Sequence, residues 1–504
     1  MRIFEIILIL MNLFSIFLSF KRHSKIIRVR LVTANIFVLL IHGVLEGFRY
    51  QMTFSYLFSI LFAIYTLLKI RNKCFDVNIP RSLKIISVSL CCILLGVTCL
   101  LAYALPVFKL PKPTGNYDVG IDYLYLVDEN RNDPFLDKST KKRELMIKVY
   151  YPAKNDDSKQ FDRYFHNSRE LLKAFTAGYQ MPEFMFSHLQ LVKTNSKEGL
   201  QVSEKEQNYP VVLFSHGAGT TMEVQTSQCE DLASQGYIVA AIDHTYISWA
   251  TLFPDRVVTA QEATTDFNTI DPAETINQIM VDDSKFVIDS LSRMNQGKIN
   301  SNFKGKLNLD KIGAIGHSVG GAVAYNLAIN DSRIKAAIDL DGIVFVTPKE
   351  KPKDMVPFLM IANDKYHVQG IKNREPLMKK LEDMMEEERK IMISMYGSEE
   401  TYKEAYKKAS QNITGLVEVL KFSGNLFTIE GSDHMKFTDL GLFIGSKQFR
   451  EVMDIRGNTE PERCLEITKS VTVTFFNKHL KNQAKDLLES QVNKYPELKK
   501  VDLK

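Results

Sequence analysis

Ala314-Ile315-Gly316-His317-Ser318-Val319-Gly320-Gly321 decides how the rest of the chain is read. An apolar run at 312–315 stops abruptly in G-H-S-V-G, and a helix-compatible run at 321–329 follows at once. Such a strand, turn and helix setting is what the G-x-S-x-G pattern requires before it carries meaning. Glycines on both sides of Ser318 leave no side chains to obstruct a sharp turn. The serine can then take a strained backbone and lift its hydroxyl over the end of a sheet. Ser318 is therefore the candidate nucleophile.

Around this stretch, short and nearly continuous apolar runs occupy 211–215, 238–243, 312–315, 334–340, 357–362 and 426–429, most of them separated by helical patterns. Strands of that kind, buried on both faces, predict a parallel sheet covered by helices on each side. Two further strands are expected at 119–127 and 144–151. The polar region 154–208 reads as loops with a short helix near 168–175.

A serine at its ordinary pKa needs a base, and the base needs an orienting acid. Glu430-Gly431-Ser432-Asp433-His434 follows the last convincing strand, which makes His434 the candidate base in the chain order Ser, Asp, His. Two acids compete. Asp341 ends the strand after the nucleophile's, and Asp364 ends the next one; both fall on the same rim of the sheet, and spacing does not choose between them. Asp339 points to the opposite face from Leu340 and reads as a structural partner. For the oxyanion, the amide of Val319 directly after the nucleophile supplies one donor. His216-Gly217-Ala218-Gly219, following the strand at 211–215, supplies the other through Ala218. His216 and His244 lack a carboxylate-rich partner at ligand spacing, so neither a metal nor another cofactor is expected. The aromatic loop 244–253 holds the single tryptophan, Trp249, and suits either a wall of an acyl pocket or ordinary packing.

The basic excess is confined to the N-terminal fifth. Residues 1–110 hold 13 Lys and Arg against 3 Asp and Glu, leaving 51 against 56 of the chain's 64 and 59 for the remainder. These cations flank the apolar stretches 6–20, 31–45, 52–68 and 85–108, which is the pattern of a membrane protein and not of a nucleic-acid-binding face. Four transmembrane helices are expected. Lys21, Arg22, Lys25, Arg28 and Arg30 form one basic connection and Lys69, Arg71, Lys73, Arg81 and Lys84 another. Both belong in the cytoplasm, so everything after residue 108 faces outward. A cleaved signal peptide fits poorly, because the basic segment follows the first apolar run. Glu5 and His42 fall at or within these stretches and receive no role. The six cysteines form no disulfide or zinc pattern.

Leu110-Pro111-Lys112-Pro113-Thr114-Gly115 is incompatible with a helix and divides a membrane region, 1–110, from a hydrolase domain, 111–504. Inside that domain, 368–421 is far longer than a simple crossover requires. Its charges and its methionines (Met378, Met384, Met385, Met392 and Met395) suit either a surface hairpin packed on the sheet or a lid with an adaptable apolar wall.

Taken together, Phe214-Ser215-His216-Gly217, the stretch from Asp231 to Ala241, Gly316-His317-Ser318-Val319-Gly320-Gly321, Leu340-Asp341-Gly342 and Gly431-Ser432-Asp433-His434 resemble the platelet-activating-factor acetylhydrolases of the plasma and bacterial type. The resemblance runs from about residue 113 to about 480. It implies an α/β-hydrolase fold, here preceded by about four transmembrane helices, and a metal-free esterase acting on short or oxidised acyl groups of phospholipids and simple esters. It also chooses Asp341 over Asp364, because that family's acid lies on the strand after the nucleophile's. The added membrane region and the long 368–421 segment depart from the family pattern. The expected protein is a membrane-anchored serine esterase whose partners are a small or phospholipid ester and the bilayer. The rival readings are a general carboxylesterase, a polyester or peptide hydrolase of the same fold, and a non-catalytic membrane receptor module.

Overall fold

A computed structural model of the 504-residue chain describes residues 1–19, 24–71, 80–137, 140–166, 168–265, 272–348, 355–363, 366–423, 425–483 and 487–503. Lys21, Arg22, Lys73, Cys74 and Asp364 lie outside the described residues. The chain divides into two compact units.

The first unit contains residues 1–109 together with 163–192 and 443–453. Its helices are α1 (Ile3–Ser19), α2 (Lys25–Leu45), α3 (Thr53–Arg71) and α4 (Arg81–Ala104). Three helical stretches, Lys25–Leu45, Tyr50–Arg71 and Arg81–Ala104, are long and apolar enough to cross a membrane. With 17 residues, α1 spans only about 25 Å against a hydrocarbon core of about 30 Å. Large apolar side chains such as Leu10, Phe17, Phe37 and Leu61 face outward, while Asn12, Asn35, Ser55 and Ser59 are buried. Polar groups inside and apolar groups outside invert the arrangement of a water-soluble bundle. Asn12 donates to Ser55 Oγ (2.8 Å) and accepts from Asn35 Nδ2 (2.7 Å) and Ser59 Oγ (3.0 Å), joining α1, α2 and α3. Glu5 accepts from Arg49 Nε at 2.6 Å and from another Arg49 nitrogen at 2.7 Å, and the guanidinium also donates to Leu105 O at 2.7 Å. His42 lies 3.0 Å from Glu46 Oε2 and 2.7 Å from Tyr56 OH.

Segments 163–192 and 443–453 sort with these helices because an aromatic cluster gathers three remote stretches. Phe443 stacks on Phe108 and meets Tyr164, Phe165 and Phe175 edge-on. The expected short helix is present as Arg169–Gly178, its N-terminus capped by Ser168, which accepts from the Leu171 amide at 3.1 Å.

The second unit contains the sheet. Its strands are β1 (Asp118–Asn132), β2 (Lys142–Ala153), β3 (Phe161–Arg163), β4 (Lys193–Glu198), β5 (Tyr209–Ser215), β6 (Ile238–Asp243), β7 (Ala250–Leu252), β8 (Val257–Thr259), β9 (Leu307–His317), β10 (Ile334–Leu340), β11 (Phe358–Asn363), β12 (Leu426–Ile429) and β13 (Leu498–Lys500). Apart from the β7–β8 ribbon they form one sheet in the order β13-β12-β11-β10-β9-β5-β6-β2-β1-β4-β3. The run from β12 to β6 is parallel throughout, whereas β13 and β2 join it antiparallel. Alternation along the strands feeds two cores. Val211, Leu213, Ala314 and Met360 enter one, with helices Pro272–Asn295 and Val319–Asn330. Val212, Phe214, Ile315 and Ile361 enter the other, with helices Thr226–Ser234 and Pro461–Leu480. Burial on both faces explains the nearly continuous apolar runs.

Segment 368–421 contains two different things. The helix Glu399–Ser423 buries Ile413, Leu416, Val417 and Leu420 in the first core and so serves as the crossover between β11 and β12. The helix Glu386–Tyr396 buries no residue, and Met385, Ile391 and Met395 are exposed.

Candidate active site

Strand β9 ends at His317, and the helix Val319–Asn330 begins one residue after Ser318. Ser318 has φ 58° and ψ −126°, a conformation that a non-glycine residue adopts only under surrounding constraint. The glycines supply the room. A Cβ at Gly316 would come within 2.1 Å of Gly320 O, and one at Gly320 within 2.1 Å of Ser215 O. A methyl at either place would push the strand and the helix apart.

Asp341 follows β10 directly and is fully buried, with φ 60°. Its amide donates to Ile361 O on the neighbouring strand (2.9 Å), and the Ser318 amide donates to Leu340 O (2.9 Å). Asp341 and Ser318 are thereby hung on adjacent strand ends. His434 sits at the head of a short turn after β12, where Asp433 caps the backbone. Its Nδ1 lies 2.7 Å from Asp341 Oδ2, and its ring packs on that of His317 with centroids 4.5 Å apart. His317 Nε2 donates to the carbonyl of His434 at 2.9 Å, which fixes the loop beside the nucleophile's neighbour.

Electrostatics follow the geometry. Burial alone would raise the Asp341 pKa, but hydrogen bonds from His367 and His434 hold it well below the usual carboxylate range. Burial works against protonation of His434, yet the hydrogen bond and charge of Asp341 lift its pKa above that of a free imidazole. Burial and the neighbouring His434 push His317 down to about 3, so it is a neutral fixture. Asp339 is buried with its carboxyl raised to about 7 by desolvation; Oδ1 accepts from the Gly342 amide at 2.7 Å. Asp339 thus braces the turn, as its strand position suggested.

The Gly217–Gly219 loop lies across from the serine: a Cβ on Gly217 would meet Ser318 Cβ at 3.1 Å. Trp249 N donates to Thr220 O (3.2 Å) and Gly219 N to Ile247 O (3.0 Å), so the aromatic loop braces the glycine loop. Most of that aromatic loop, including Tyr246, Ile247 and Phe253, is packed into the core. Among the described residues no protein acceptor takes the Ala218 or Val319 amide. His216 and His244 are consumed internally. His216 Nε2 accepts from the His244 amide (3.1 Å), and His244 Nδ1 lies 3.0 Å from Asp283 Oδ2. Burial and His244 push the His216 pKa down to about 3.

Sequence reasoning missed two residues. Asn363 donates to Asp341 from its backbone (2.7 Å) and from Nδ2 (2.8 Å to Oδ2), and His367 Nδ1 lies 2.9 Å from Oδ1. The available signal was position: Asn363 ends, and His367 follows, the strand adjoining that of Asp341.

A mostly parallel sheet with a serine on a strained strand-to-helix turn, beside a buried carboxylate and a histidine, defines an ester-hydrolysing enzyme of the serine type. Residues 104–498 match the family described as platelet-activating factor acetylhydrolase, isoform II, and the chain belongs to that family. A probable 1-alkyl-2-acetylglycerophosphocholine esterase from Arthroderma benhamiae is 24% identical over 418 residues, covering 78% of this chain and 94% of that protein. A platelet-activating factor acetylhydrolase from Canis lupus familiaris is 24% identical over 405 residues, covering 74% and 77%. Among solved structures, a ferulic acid esterase from Streptomyces cinnamoneus superposes with TM-score 0.55 at 24% identity over 78% of this chain and 99% of its own, a likeness of fold.

Proposed function

We propose that the protein is a membrane-anchored serine esterase that removes short acyl groups from phospholipid-type esters. Ser318 attacks the carbonyl while His434 takes its proton. Asp341 holds the Nδ1–H tautomer of His434 and supports the imidazolium, and the amides of Ala218 and Val319 receive the oxyanion. The alcohol departs with the proton that His434 returns. Water, activated by the same histidine, then releases the acid. The observation that carries this reading is the 2.7 Å contact of His434 with Asp341, beside a serine held at φ 58°.

The candidate acyl site in this reading is a mostly apolar cavity of about 150 Å³ that begins at Ile343, two residues past Asp341, and is lined also by Val344, Phe345, Leu377, Met378 and Tyr396; neither Ser318 nor His434 lines it. A space of that size takes a group comparable to benzene, not a long chain. The exposed helix Glu386–Tyr396 borders it through Tyr396 and serves as an adjustable cover. Helices α1 to α4 anchor the enzyme as four spans. The basic connections lie in the cytoplasm and the hydrolase unit lies outside, where it meets amphiphilic substrates at the bilayer.

The test is hydrolysis of nitrophenyl acetate, butyrate and palmitate by the purified full chain, with Ser318→Ala alongside. The expected result is a preference for the short esters and a loss of about 10⁶ in kcat for Ser318→Ala. A folded wild-type chain whose Ser318 takes no fluorophosphonate would rule the reading out.

A further inference from the structure

The carboxylate of Asp341 is held by two histidines, one on each oxygen. His434 Nδ1 lies 2.7 Å from Oδ2, and His367 Nδ1 lies 2.9 Å from Oδ1. The two imidazoles are not equivalent. The His434 side chain keeps 37% of its surface exposed, as a group that must meet substrate requires, whereas that of His367 keeps 4%. His367 opens the helix His367–Asn373. Asn363 reaches both sides of this contact: its Oδ1 accepts from the Tyr366 amide at 3.1 Å, just before the helix, and its Nδ2 donates to Asp341. The end of the strand and the head of the helix thus both contact the acid.

We infer that His367 is a positioning residue of the proposed triad, one that aims Asp341 and sets the basicity of His434. A carboxylate that accepts a strong hydrogen bond on one oxygen has less negative charge to offer at the other. His367 draws charge toward Oδ1 and so weakens the hold of Oδ2 on the His434 imidazolium. The same contact keeps Asp341 from swinging when His434 shifts toward substrate. Helix His367–Asn373 also heads the segment leading to the exposed helix Glu386–Tyr396, so the acid is tied directly to that segment.

The titratable groups around this pair are few. His367 acts on Asp341 and on Asp339. Asp341, Asp433 and Asp339 act on His434, and His317 packs against its ring. Asp433, Asp339 and His317 make no hydrogen bond to His367 among the described residues, so removing its N–H alters the field at His434 chiefly through Asp341.

This inference rests on the triad reading, and the experiment separates the two. The full chain is purified as wild type, His367→Asn and His367→Phe, and the pH dependence of kcat/KM is measured on a short nitrophenyl ester. Asn places an N–H where Nδ1 was; Phe keeps the ring and loses the donor. For His367→Phe the acid limb should move to higher pH by about half a unit, and kcat should fall about tenfold or more. The Asn variant should keep the wild-type profile. An unmoved profile in the Phe variant, with its Ser318 still labelled by a fluorophosphonate, overturns the role of His367 and leaves the triad standing. Equal losses in both variants at an unchanged profile also overturn it, because they report packing alone. Absence of labelling in the folded wild type removes both.

Discussion

Glu5 and Asp341 are buried equally well and are held in opposite ways. Both oxygens of Glu5 receive guanidinium or backbone N–H donors from Arg2 and Arg49. Both oxygens of Asp341 receive donors from Asn363, His367 and His434, none of which carries a permanent charge. Arginine does not release its proton in proteins, so the Glu5 pair has a single state and can only hold things in place. Imidazole changes its protonation near neutral pH, so the Asp341 pair can pass through a cycle. The difference separates a structural clamp from a candidate catalytic acid more cleanly than burial does.

The sharpest way to break that contrast is Asp341→Asn. If Asp341 fixes the tautomer of His434, the amide presents the wrong hydrogen-bond partner and kcat should fall by about 10⁴, about 5.5 kcal/mol of barrier. The fold should survive, since shape and burial are nearly conserved; near-ultraviolet circular dichroism checks this. A variant retaining more than a tenth of wild-type ester hydrolysis would return the acid to Asp364.

The counterpart in the first unit is Arg49→Met. It strands Glu5 with Arg2 alone and leaves Leu105 O without its donor. Breaking a buried pair on one side costs about 3–5 kcal/mol, and the loss should show as a lower unfolding midpoint in detergent. Turnover per labelled Ser318 should stay at the wild-type value below that midpoint. A fall in turnover with unchanged stability would mean that the Glu5 clamp serves catalysis and that the contrast is false.

What the sequence made legible follows the range of the forces involved. The elbow was readable because its constraint is local: Gly316 and Gly320 leave no space for a Cβ, and the residue pattern states this directly. His434 was singled out by chain order, and the structure brings its Nδ1 to 2.7 Å from Asp341 Oδ2. The choice between Asp341 and Asp364 was not readable from spacing, because both were expected at the ends of successive strands, and the family resemblance alone chose Asp341. His367 carried no signal in the sequence because its contact with Asp341, 26 residues away along the chain, is made only in the tertiary fold. The assignment of 163–192 and 443–453 to the first unit was hidden for the same reason. No local pattern marks Phe443 as the partner of Phe108. The segment 368–421 looked like one insertion because helical periodicity cannot tell Glu399–Ser423, which covers the sheet, from Glu386–Tyr396, which buries none of its own residues.

The smallest predicted effect asks whether charge is what makes the Glu5 clamp strong. Asn12 is as buried as Glu5 and joins three helices, accepting from Asn35 and Ser59 and donating to Ser55, with no formal charge anywhere in the set. Asn12→Ala leaves the Asn35 amide without this acceptor, while Ser59 Oγ keeps Ser55 O at 3.0 Å, and in an apolar bundle such groups find other partners on partial unfolding. Interhelical hydrogen bonds of this kind therefore contribute about 0.6 kcal/mol each and rarely more than about 2. The loss measured by denaturing-detergent titration should be about 1 kcal/mol, well under that of Arg49→Met. If the two losses are equal, connectivity among helices and not ion pairing holds the unit together. The lesson drawn from Glu5 and Asp341 would then rest on the protonation chemistry of their partners alone.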